Sequence, residues 1–97
     1  MDKQELTGKL ERFKKVCSES GYIEDKIDLE EAYPGLVPTS FIVNVLGKKD
    51  WLDKTYSGQA LKQLIRVLWD TTDVQTRENI FTISIYGEDE QHSMDLH

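Results

Sequence analysis

The sequence predicts a small two-layer α+β sandwich, about two helices packed on a three-stranded sheet of mixed or antiparallel pairing, in the order α-β-β-α-β. Three observations carry this. Two segments repeat apolar residues at helical spacing, and two shorter ones alternate with the period of a strand. The length, 97 residues, suits one core and not two. Leu, Ile, Val and Phe account for 26 of those residues, above the fraction at which a chain stays unfolded. A single compact domain over residues 1–87 is expected, followed by an acidic, flexible tail over 88–97.

The first helix is expected over residues 2–19. Leu6, Leu10, Phe13 and Cys17, with Val16, keep to three- and four-residue spacing, and the charged residues take the other side. Glu5–Lys9 and Glu11–Lys15 are i,i+4 pairs in the favourable order. Gly21 is placed to end the helix in a left-handed turn. Residues 22–33 admit two conformations. Ile23, Ile27 and Leu29 at even separations suit a half-exposed strand, which Asp25 interrupts, while a short helix over 28–33 fits nearly as well. Tyr33-Pro34-Gly35 is a turn, and Pro38 stiffens the connector that follows.

Residues 40–46 form a strand with Phe41, Val43 and Val45 on one face and Ile42, Asn44 and Leu46 on the other. Trp51 and Leu52 fall in a polar loop or a short helical turn. Ser57 is expected to cap a second helix over 58–70, whose stripe comprises Ala60, Leu61, Leu64, Ile65, Leu68 and Trp69. Thr71-Thr72-Asp73 breaks it, and 73–78 suits one further helical turn. A last strand over 80–86 alternates Phe81, Ile83 and Ile85 with Thr82, Ser84 and Tyr86, the pattern of a sheet with one solvated face. This coarse order of elements resembles that of small BolA-like or class II KH-like domains. The basic and glycine-rich motifs of those families are absent, so the likeness stops at element order.

The net charge of −6, from 12 Lys and Arg against 18 Asp and Glu, is not spread evenly. It resolves into Glu24, Asp25, Asp28, Glu30 and Glu31, and a second group of Glu88, Asp89, Glu90 and Asp95. Both suit solvated surface; the first is also the better candidate for a partner site, because Tyr22 and Tyr33 flank it and such rings are enriched at interface hot spots. Trp51, between Asp50 and Asp53, is either folded over the core or presented to a partner, and Trp69 belongs to the core.

Several function classes are disfavoured. No run of 18 apolar residues exists to span a membrane, and the first residues lack the basic-then-apolar pattern of a secretory signal. Cys17 is the single cysteine, which leaves no internal disulfide and points to the cytosol. An acidic surface repels phosphate backbones, so direct nucleic-acid binding is not expected. No catalytic constellation is legible: His92 and His97 stand in the tail, Cys17 lies on an apolar stripe, and the glycines lack phosphate-cradling spacing. No enzyme, metal or cofactor is therefore expected. The composition points to a small protein-binding module of inhibitor, immunity or antitoxin type that occludes a basic partner such as a nuclease, through Tyr22, Asp25, Asp28, Glu30, Glu31, Tyr33 and Trp51. The alternative is a small regulatory or adaptor subunit acting through homodimerisation, a sheet edge or a helix face.

Overall fold

In the computed structural model, which describes residues 1–35 and 40–87 and the backbone of 91–95, the chain opens with α1, Lys3–Lys9. Asp2 caps it, its carboxylate accepting the Glu5 N–H at 2.8 Å. The next segment, α2, is Glu11–Glu19. The one helix expected over 2–19 is thus two, joined at Leu10. There the backbone N–H is shared between the Leu6 and Thr7 carbonyls. The cause is local: the Thr7 hydroxyl donates back to the Lys3 carbonyl at 2.8 Å, which bends helices, and Gly8 adds no side chain to stiffen the joint. The apolar stripe survives the bend, because Leu6, Leu10, Phe13 and Cys17 are all buried. Gly21, at φ 79°, then closes α2 as expected. The Tyr22 N–H reaches the Cys17 carbonyl and the Gly21 N–H reaches that of Ser18, a six-residue cap that only a left-handed residue permits.

Residues 22–33 resolve as strand: β1 runs Ile23–Glu31 and ends at the turn containing Gly35, φ 88°. Strand β2 is Phe41–Gly47, followed by α3 (Lys49–Lys54), α4 (Ser57–Thr71) and α5 (Val74–Glu78), then β3 (Ile80–Tyr86). Gln91–Asp95 adds a fourth strand, β4, to the three that the sequence pattern predicts. The sheet order is β1-β2-β3-β4, with the outer pairs antiparallel and β2–β3 parallel. The α+β class and the mixed sheet are as expected. The helices gather on one face, α2 against β1 and α4, and α4 reaching β4. Between the layers lie Phe41, Val43 and Val45 of β2, Ile80, Ile83 and Ile85 of β3, and the Leu61, Leu64 and Leu68 stripe of α4.

Four local expectations are corrected. Ser57 does not cap α4; Tyr56 occupies that position without a side-chain bond, and Ser57 is the first helical residue. Phe81 does not share the core face with Ile83. Phe41 pairs with Ile80 but Ile42 with Thr82, so one extra residue bulges from β3 and Ile80 takes the inward place. The polar side of β3 is not solvated either, since Thr82 and Ser84 are buried on a strand that has a neighbour on each side. Trp69 is 51% exposed, one residue past the inward Leu68, with the Arg77 guanidinium 4.4 Å above its ring.

The short α5 forms because Asp73 caps it, accepting the Thr76 N–H at 2.8 Å. Bonds from the Thr76 side chain and backbone hold the Asp73 carboxyl below its ordinary value. A depressed carboxyl stabilises the fold above its unfolded pKa, about 3.9, and that contribution fades as pH falls through the folded value. An Asp73→Ala variant is therefore expected to melt below the parent at neutral pH, with the gap closing in melts recorded near about pH 3. Packing gives a second expectation, read by urea unfolding. Phe13→Ala, at a fully buried site, costs about 3–5 kcal/mol, whereas Trp69→Ala costs about 1 kcal/mol or less.

Candidate functional site

Strand β1 lies at the end of the sheet and pairs with β2 alone, so among the described residues its outer backbone has no strand partner. Its register explains why an acidic strand forms there. Ile23 pairs with Gly47 and Ile27 with Val45, four residues of β1 spanning two of β2. The surplus bulges outward over 24–26 and, being even in number, leaves Ile23, Ile27 and Leu29 on the core side. Three inward side chains anchor the strand, which frees the rest to be charged. Glu24, Asp25, Asp28, Glu30 and Glu31 are all exposed.

The register divides these carboxylates. Asp28 and Glu30 stand opposite Asn44 and Ile42, on the face without helices. Glu31 lies opposite the inward Phe41 at the strand's end. Asp25 turns toward the helical layer, 4.0 Å from Lys14 of α2. Lys26 stands 3.8 Å from Asp28. Both pairs are long and their carboxylates are solvent-exposed, so each contributes about 1 kcal/mol at most and leaves the patch acidic. Glu30 accepts the Asn44 side-chain N–H at 3.0 Å. The Asn44 Oδ1 is left buried with no partner among the described residues. It belongs to a shallow depression of about 330 Å³ lined by Lys26, Asp28, Asn44, Leu46 and Tyr86.

The aromatic members of the expected site lie elsewhere. The Tyr22 carbonyl accepts the Lys48 N–H at 2.9 Å, tying it to the end of β2, and its ring stacks on Trp51 at 5.1 Å. Trp51 is 6% exposed, which settles it as core, and its Nε1–H donates to Gln63 Oε1 at 2.8 Å. Tyr33 is exposed at the opposite end of β1, edge-on to Phe81 at 5.3 Å. At about 3.3 Å per residue, the two tyrosines are roughly 30 Å apart and do not frame one patch. Of the seven expected residues, Asp28 and Glu30 share a face, Glu31 and Tyr33 stand near one strand end, and Asp25 points to the helices. Tyr22 and Trp51 belong to the far end of the sandwich.

Asn44 and Leu46 are additions to the candidate surface. The signal for Asn44 is in the sequence: it is the lone polar residue in an apolar run, on the side opposite Phe41, Val43 and Val45. Of the second acidic group, Glu88, Asp89 and Glu90 lie outside the described residues, as does His97, while the Asp95 backbone pairs with Thr82 at the end of β4. Among the described residues no group of three or more His, Cys, Asp or Glu is arranged to hold a metal ion. No helix among them is long and apolar enough to cross a membrane. No protein-family model matches the chain, and no curated protein or solved structure is significantly similar to it.

Cys17 is fully buried, and burial pushes its thiol up to about 12. The thiolate is then absent near neutral pH. Ellman's reagent is expected to leave the native chain unmodified at about pH 8 and to titrate one thiol once urea unfolds it.

Proposed function

We propose that the chain is a protein-binding module of inhibitor, immunity or antitoxin type whose acidic edge strand seats a basic partner. One observation carries this: five exposed carboxylates stand on β1, an edge strand whose outer backbone has no strand partner among the described residues, with Lys26 the lone cation in the strand. The carboxylates attract a cationic surface from a distance, raising the association rate more than the affinity. Carboxylates in place of nucleic-acid phosphates would occlude a positive groove such as that of a nuclease. The 42% exposed Leu46 offers an apolar contact beside the carboxylates. The same charge opposes the pairing of two copies through β1, since carboxylates would face carboxylates.

The test compares the parent with an Asp28→Lys, Glu30→Lys, Glu31→Lys variant, first shown to keep the parent's circular dichroism and melting behaviour. Affinity capture from the native host is expected to return a basic protein with the parent and to lose it with the variant. The association rate of that pair should fall about tenfold or more on charge reversal and lose most of its salt dependence. Absence of any stable partner, or an association rate indifferent to the reversal, overturns the proposal.

A further inference from the structure

On the helical layer the sign of the charge reverses. Between α4 and the start of β1 lies a cleft of about 350 Å³ lined by Tyr22, Gln59, Lys62, Gln63, Arg66 and Val67. No carboxylate lines it. Lys62 and Arg66 stand one turn apart on α4, both exposed, and neither has an acidic partner among the described residues. What sets this pair apart is that both cations line one cleft together with neutral donors.

The neutral groups point the same way. An indole N–H can only donate, so the 2.8 Å bond from Trp51 Nε1 fixes which end of the Gln63 amide is its oxygen. The Gln63 oxygen is thereby engaged, and its NH₂ is the group left for a ligand. Trp51 is itself held, buried and stacked on Tyr22, so this donor is positioned by the core and not by solvent. The cleft thus combines an ammonium, a guanidinium and an oriented amide NH₂, with the Tyr22 and Gln59 side chains able to donate as well.

We infer that this cleft is an oxyanion site for a phosphate dianion, with Lys62 and Arg66 neutralising its two charges and Gln63 orienting it. A guanidinium and an ammonium bond a phosphate more strongly than any neutral donor pair. The site is separate from the acidic edge and does not depend on its partner.

The experiment is a ¹H–¹⁵N NMR titration of the full chain with inorganic phosphate, and in parallel with acetate, at constant ionic strength. Phosphate is expected to give saturable shifts of the Trp51 indole N–H, the Gln63 side-chain NH₂ and the Arg66 amide, and acetate much weaker ones. A Lys62→Gln, Arg66→Gln variant should weaken binding about tenfold or more, the loss expected for charge-assisted bonds. Gln63→Glu keeps an acceptor for Trp51 but places a negative charge in the cleft, and should abolish the saturable response while leaving the fold intact. Shifts that grow linearly without saturating, that appear equally at Arg12 and Lys15 of α2, or that persist unchanged in either variant overturn the assignment.

Discussion

Two parallel neighbours cannot be joined by a tight turn, and the β2–β3 ladder is the constraint on which the rest of this structure depends. The chain leaves β2 at Gly47 and returns at Ile80 to run in the same direction, so everything between must cross one face of the sheet. The crossover carries α3, α4 and α5, and α4 supplies Leu61, Leu64 and Leu68 to the core. The α1–α2 arm covers the remainder of that face, α2 packing on both β1 and α4. With β2 and β3 in the centre, the antiparallel partners β1 and β4 take the edges, and among the described residues no helix packs on the other face.

Charge follows the same division. The edge strand needs Ile23, Ile27 and Leu29 to stay attached and can carry carboxylates elsewhere. The helical layer brings Lys62 and Arg66 into one cleft with Tyr22 and Gln63, and Trp51 holds the Gln63 amide. The carboxylates are thus concentrated on β1, while the helical elements mix both signs and only the cleft beside Tyr22 is lined by cations without carboxylates.

What was legible in the sequence tracks how local its physical cause is. β2 and α4 follow from side-chain periodicity, and their inward residues were readable because Phe41, Val43, Val45, Leu61, Leu64 and Leu68 repeat at the periods of their elements. β1 was half legible, since a two-residue surplus over 24–26 breaks its alternation while preserving its parity. β4 was not, because Gln91–Asp95 joins through backbone pairing with β3 and has no apolar pattern to announce it. The Phe81 bulge and the outward turn of Trp69 are tertiary choices: either residue suits a core, and register or helix rotation decides otherwise. The acidic cluster was readable, but the grouping of Tyr22, Tyr33 and Trp51 with it was not. Closeness along an extended strand is distance in space, and Trp51 joined Tyr22 through a stack that no spacing rule encodes.

The two tryptophans occupy opposite circumstances, one buried, stacked and hydrogen-bonded at the head of the sheet, the other half in solvent beneath a guanidinium. Their indoles should emit at different wavelengths and meet a water-soluble quencher at different rates. The protein thus carries a built-in optical ruler. Blue-shifted, quencher-shielded light reports the packing of α3 against α4, while the accessible component reports whether α5 still lies across the end of α4.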